Sequence, residues 1–321
     1  MYVRPELQAL RDDDTPQRQA QADLSGILKS WRSSRLGGGI DHSIAAYANG
    51  VGIEHLPPLA RLFEGGDPSA RRLADQFTAR FTCALRVHPW GQVPVPSKLD
   101  DLAATLVLAA AGNAALVIQA IDGDALRIRP QALTAAFSPG ETHDHVLAGA
   151  GRARRIEIAA ETGARAELIT TPCELVPGTI TRREGARQSL LIENVSTTLV
   201  ILRLQRRPDC GSVTREFSLA DGAMVHQATA NPRESRLELT AALLGRMGRS
   251  DAAPLLAAMA EEQSGLSLRW QALKESLGLD TAEGFAALTR IAGRSGDALA
   301  GPANTMRSQL LATYPELERI A

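Results

Sequence analysis

The sequence predicts an α+β protein, with an N-terminal helical segment over 1–98, a central antiparallel β-sandwich over 99–231 and a C-terminal all-helical domain over 232–321. Three observations predict it. Before residue 99 the apolar residues recur at helical spacing. From about 103 the chain becomes a series of short aliphatic runs cut by turn signals, and from Pro232 helical spacing returns and persists.

Residues 1–20 are polar and read as a mobile arm. Leu24, Ile27, Leu28 and Trp31 then fall at i, i+3, i+4 and i+7 of one helix face. Three glycines in "RLGGGID" make continuation costly, so a flexible turn is expected at 37–39. No Lys-Ser or Lys-Thr follows them, as a phosphate-binding loop would need. "HSIAAYANG" and "LPPLARLFEGG" read as short helices, the second opened by its prolines. "DPSARRLADQFTARFTCALRV" is a longer amphipathic helix with Asp67 as cap and Pro68 at its first position. Three prolines in "HPWGQVPVPSK" end the helical segment, with Trp90 expected to pack over that seam.

In the middle region, "ATLVLAAAG" and "AALVIQAI" flank Gly112-Asn113 and read as a hairpin, although together they approach the length of a membrane span. "ALRIRP", "RIEIAAE", "AELITTP", "QSLLIENV", "TTLVILRLQ", "TREFSLA" and "MVHQATA" are the further expected strands. Within "LVILRLQRR", Val200, Leu202 and Leu204 share one face, and Arg203 and Gln205 the other.

The C-terminal part repeats one arrangement. "ESRLELTAALLGRMG" ends in Gly, "SDAAPLLAAMAEE" opens on a Ser or Asp cap, and "LSLRWQALKESLG" and "DTAEGFAALTRIAG" do the same again. Arg236 and Arg269 occupy comparable places in the two halves, and Trp270 reads as core. These helix pairs are similar to a HEAT-type array; an ordinary bundle fits the same pattern. Ser235-Arg236, Gly248-Arg249, "DAAP" at 251–254 and "LRWQAL" at 268–273 together resemble a bacterial protein family in which a β-rich middle precedes such helices. That resemblance implies architecture and no activity.

Composition narrows the function classes. Lys+Arg is 35 against Asp+Glu 36, a net charge of -1, so the basic excess that neutralises phosphates is missing and no nucleic-acid partner is expected. Aromatic residues are 4%, which leaves few stacking platforms for bases. The start of the chain lacks an apolar stretch of signal-peptide type, and no membrane span is expected, so a cytoplasmic protein is anticipated. Cys83, Cys173 and Cys210 are scattered and form no CxxC, which fits buried thiols in a reducing compartment.

The stretch "SPGETHDHVLAG" carries His143 and His145. On a strand, His-x-His places both rings on one face, where two imidazoles can share a first-row metal. "GETHDH" resembles the first motif of the cupins, and the surrounding β region is similar to their sandwich. That resemblance implies a divalent first-row metal held by His143, His145 and, as the later candidate, His226. The sequence departs from the cupin pattern in three places. Phe137 stands where the family has Gly, Gly149 and Ala150 stand where it has Glu, and Pro177-Gly178 is followed by no His. The other reading leaves His143 and His145 on an exposed turn. Arg182, Arg183, Arg187, Arg203, Arg206, Arg207 and Arg215 suit anion recognition, or with Glu174, Glu184, Glu193 and Glu216 form a solvated ion-paired face.

Two functions remain open. One is a non-enzymatic binding or protein-interaction protein, with a protein or small-molecule partner in the sandwich or on the helices and room for an oligomer. The alternative is a metal-dependent cupin-type enzyme acting on a small molecule. Neither a G-x-S-x-G elbow nor an H-E-x-x-H helix is present.

Overall fold

The structure is a computed structural model that describes residues 13–208 and 212–319. Most of the expected N-terminal arm, up to residue 12, and Cys210 lie outside the described residues. The chain divides into two units. The first holds the described residues of 1–135, with 140–207 and 219–222; the second holds those of 136–139, 208–218 and 223–321.

In the first unit, α1 (Thr15–Arg32) buries Leu24, Leu28 and Trp31, the face read from the sequence. The expected turn at Gly37–Gly39 is instead the first part of α2 (Arg35–Ala48). The Ser34 hydroxyl accepts the Gly37 N–H and caps the helix. A β-carbon on Gly37 would collide with the Trp31 carbonyl oxygen, so this glycine lets α2 start directly against the end of α1. A short α3 (Pro57–Ala60) runs into a 3₁₀ turn at Arg61–Phe63. Next comes α4 (Ser69–Val87), entered through an Asp67 carboxylate that accepts the Ser69 N–H at 2.7 Å. Cys83, expected to be buried, is exposed on α4, and Cys173 is half-buried.

The larger sheet contains β1 (Ser97–Leu99), β2 (Ala103–Ala111), β3 (Ala114–Asp122), β5 (Glu141–Ala148), β8 (Ile180–Glu184) and β10 (Thr198–Arg206), ordered β1-β2-β3-β10-β5-β8. Its neighbouring strands pair antiparallel. The expected hairpin is present, with Gly112 at φ 52° in the β2–β3 turn. "ALRIRP" forms no strand: its start belongs to α5 (Gly123–Ile128), because the Asp122 carboxylate accepts the N–H groups of Asp124 and Ala125. A local cap overrides the aliphatic run. The second sheet is β7 (Arg165–Leu175), β6 (Gly151–Thr162) and β9 (Gln188–Val195), in that order.

Both faces of the larger sheet are covered. Leu108, Leu116, Leu202 and Leu204 share one core with Trp31, Ile44, Tyr47, Phe77 and Phe81 of the helices. On the opposite face, Ile121, Val146 and Ile201 pack with Ala153, Leu175 and Val195, which joins the two sheets as an antiparallel sandwich. Burial on two sides explains why polar residues here do not mark a solvent face.

The second unit contains β11 (Val213–Ser218), β12 (Met224–Thr229) and the last two residues of β4 (Thr134–Phe137), and these strands are ordered β12-β11-β4. Five helices follow: α6 (Pro232–Arg246), α7 (Ala253–Glu261), α8 (Leu266–Leu279), α9 (Thr281–Ala292) and α10 (Ala300–Thr313). Leu256, Leu273, Phe285, Leu288 and Ile291 form their common core, and Trp270 packs against it. Asp280 caps α9 by accepting from Ala282 and Glu283, as read from the sequence. Arg236 and Arg269 do not share an environment. Arg236 is exposed, whereas Arg269 is buried and paired with Asp297. Among the described residues, no helix is long and apolar enough to cross a membrane.

Candidate functional site

Strand β5 places alternate side chains in two different surroundings. His143 and His145 are 4% and 7% exposed. They lie on a strand and not on an exposed turn, because β5 is flanked by β10 and β8 and covered by the helical layer. The His145 Nδ1 donates to the Leu62 carbonyl at 2.7 Å, the one polarity a carbonyl allows. His143 Nε2 donates to Glu141 Oε1 at 3.0 Å, and its ring lies 5.7 Å from that of Phe63. The pair therefore faces the helices, away from the sandwich interior.

Glu141 collects the polar groups on that side. Its carboxylate also accepts from Tyr47 Oη at 3.1 Å and Arg206 Nη2 at 3.0 Å, and Arg182 Nη2 lies 2.7 Å away. Burial raises the Glu141 carboxyl, but His143 and Arg182 outweigh it and hold it below the usual range. Burial lowers the His143 imidazole against the opposing pull of Glu141. Burial and Glu141 together push the Tyr47 phenol up. The guanidinium of Arg206 stacks 4.3 Å over the Tyr47 ring. These contacts dock α2 on the sheet.

The intervening residue, Asp144, points the other way. It is 2% exposed, and Arg203, directly opposite on β10, grips it with two hydrogen bonds of 2.6 and 3.0 Å. Arg183 on β8 adds a third at 2.5 Å. Burial alone would raise the Asp144 carboxyl; Arg203 and Arg183 reverse this and hold it ionised. The two guanidiniums fare differently. Asp144 overcomes burial and raises Arg203, whereas burial and repulsion from Arg203 and Arg155 leave Arg183 lowered. One carboxylate thus faces two guanidiniums. Beside it, the Arg183 Nε and the Thr181 hydroxyl are buried with no hydrogen-bond partner. Thr181 sits opposite Asp144 across the β5–β8 pair.

The arginine-rich stretch is therefore not one solvated face. Arg182 is exposed, while Arg183 and Arg203, at 12% and 23% exposure, lie within the sandwich. Chain alternation carries this split: neighbours on β8 point to opposite sides. His226, the third residue of the expected metal set, is exposed on β12 of the second unit. Among the described residues, no group of three His, Cys, Asp or Glu side chains is placed to hold a metal ion. Asp144 was not singled out by the sequence, although it sits between the two histidines that were. Its signal is the alternation rule applied to "HDH", read together with Arg203 on the face opposite Leu202 and Leu204.

No family model matches the chain, and no curated protein matches it. Among solved structures, ectoine synthase from P. lautus is similar at 12% identity over 35% of this chain and 69% of its own, with a TM-score of 0.23. KdgF from Halomonas sp. gives 14% identity over 36% of this chain and 90% of its own, with a TM-score of 0.23. A cupin superfamily protein from Desulfitobacterium hafniense gives 10% over 35% and 83%, also at 0.23. The capsular polysaccharide assembling protein CapF from Staphylococcus aureus gives 13% identity over 41% of this chain, which spans 34% of that protein, with a TM-score of 0.26. The α+β class rests on the sheets and helices described above.

Proposed function

We propose that this is a non-enzymatic binding protein whose sandwich interior receives a small oxyanion, a carboxylate or a phosphate, at Arg183, Arg203 and Thr181. One observation supports the reading: the buried Arg183 Nε–H and Thr181 hydroxyl have no acceptor, beside two guanidiniums that share the Asp144 carboxylate. An orphaned buried donor costs about 1–3 kcal/mol, so an arriving acceptor gains what the fold leaves unmet. Asp144 holds the two guanidiniums in place by occupying one side of each, and the free edge of Arg183 remains for the ligand. Nothing in the cluster is set up as a nucleophile or general base, since Asp144 is engaged by both arginines.

Isothermal titration of the full-length chain with inorganic phosphate, glutarate and a neutral diamide of matching length tests the proposal. Phosphate or glutarate is expected to bind, the diamide is not, and Arg183→Gln is expected to abolish the binding. If neither anion binds, or if Arg183→Gln binds as wild type does, the proposal is overturned.

A further inference from the structure

We propose that the cleft between α5 and the outer edge of β9 is a second binding site, and that it takes an amphipathic carboxylate: an organic acid with an aliphatic tail. The cleft measures about 440 Å³, within the range of small-molecule sites. Leu191 to Val195 line it consecutively. Side chains on a strand alternate between faces, so a run of five lining residues means that the cleft follows the edge of the strand. That edge is open to a ligand because β9 pairs with β6 on its inner side and ends the β7-β6-β9 order.

The opposite wall is held closely in place. The Gly123 N–H donates to the Thr197 carbonyl at 2.6 Å. A β-carbon on Gly123 would run into the carbonyls of Val195 and Thr197, so only glycine permits this approach. The residues beyond α5, from Arg129 to Ala132, complete that wall.

Chemistry divides the cleft into two ends. Leu102, Leu126 and Ile192 present the margin of the sandwich core as an apolar floor. Arg127, Arg129 and Arg154 supply the rim. Arg127 is paired with Asp124, and Arg154 lies 2.5 Å from Glu193. Glu193 engages Arg154 through its Nε, whereas Arg129 is exposed and has no ion-pair partner among the described residues. A carboxylate head at Arg129 with its tail on the leucines satisfies both ends at once.

The same edge argues against an added peptide strand. The β6–β9 register steps from Arg152↔Asn194 to Ala153↔Ile192, which leaves Glu193 as a bulge. A bulge disrupts the even row of N–H and C=O groups that an incoming strand needs.

Titration of the full-length chain with octanoate, acetate, octanol and a hexapeptide of alternating Thr and Glu tests the assignment. Octanoate is expected to bind at least ~10-fold more tightly than acetate or octanol, and Arg129→Glu, an exposed substitution, to weaken it by at least ~10-fold. In the Arg183→Gln background, where the interior site adds no acetate response, Ile192→Asn is expected to weaken octanoate and leave the weak acetate response unchanged. Arg183→Gln, which removes the interior oxyanion donor, is expected to leave octanoate binding as in wild type, so the two sites fail separately. Equal binding of octanoate, acetate and octanol overturns the proposal, as does an Arg129→Glu variant that binds octanoate normally. Tighter binding of the acidic hexapeptide than of octanoate, lost in Arg129→Glu, also overturns it in favour of a peptide groove.

Discussion

Each unit of this protein buries a guanidinium–carboxylate contact, and the two are built on different principles. In the helical unit Arg269 and Asp297 form a closed pair. Two nitrogens of Arg269 meet the two oxygens of Asp297 at 3.0 and 2.6 Å, and its Nε donates to the Ala260 carbonyl at 2.8 Å. In the sandwich one carboxylate serves two guanidiniums, and buried donors are left over. A closed pair fastens helices. An open one has spare donors, and spare buried donors cost stability unless something else meets them. The difference is what the proposed oxyanion site in the sandwich interior rests on.

The largest effects should come from breaking each contact outright. Asp144→Ala leaves two buried guanidiniums facing each other and is expected to cost about 3–5 kcal/mol, read from the urea midpoint at constant slope. Arg269→Ala should cost ~3 kcal/mol, at the lower end, because one charge is left rather than two. If Asp144→Ala is the milder of the two, the contrast between an open and a closed cluster is wrong.

Ligand linkage sharpens the comparison further. At phosphate or glutarate concentrations ~100 times the dissociation constant, wild type should gain about 2.7 kcal/mol, and Arg183→Gln should gain nothing. Without ligand, Arg183→Gln should be nearly as stable as wild type, since Asp144 keeps both bonds to Arg203. Equal stabilisation of the two proteins by the anion would place the effect elsewhere.

Hydroxyl deletions should have opposite signs in the two units. Thr181→Val removes an unpaired buried hydroxyl and should stabilise by about 1 kcal/mol. Ser276→Ala removes a hydroxyl that donates to the Ala253 carbonyl at 3.0 Å and should destabilise by a similar ~1 kcal/mol. Thermal or urea denaturation of both variants checks the pair, and the same sign in both would erase the distinction.

The smallest effect is a pH dependence. His143 holds its proton less tightly folded than unfolded, because burial disfavours the charged ring. The unfolded chain therefore binds more protons as pH falls through about 6.5, and stability declines below that value, by less than ~1.4 kcal/mol per pH unit. His143→Gln should flatten this part of the profile. An unchanged slope would assign it to another group.

Much of the fold was legible in the residues, and the reasons for the misses are physical. Helix faces such as Leu24–Leu28–Trp31 and the Asp280 cap depend on local spacing, and they appear where they were read. The glycines at 37–39 were misread as a turn because their role is steric, against a carbonyl of the preceding helix. Arg203 could be placed opposite Leu202 and Leu204 by alternation. That its own side is also interior could not, since the second sheet is contributed by residues tens of positions away. The histidines drew attention as metal ligands for the same reason that Asp144 was passed over: sequence shows which residues share a face, and only packing shows what that face meets.

Strand β5 has one more consequence, which concerns assembly of the fold. Its side chains alternate between imidazoles that fit the helical layer and a carboxylate that fits the arginines. A slip of one residue against β10 would put Asp144 against Leu62 and Phe63 and turn both imidazoles toward Arg183 and Arg203. Each error would strand buried charge on both sides of the sheet. The tripeptide His143-Asp144-His145 thus works as a proofreading device: it makes the misaligned strand far more costly than a purely aliphatic one would be, and so selects the register in which the interior arginines meet their carboxylate.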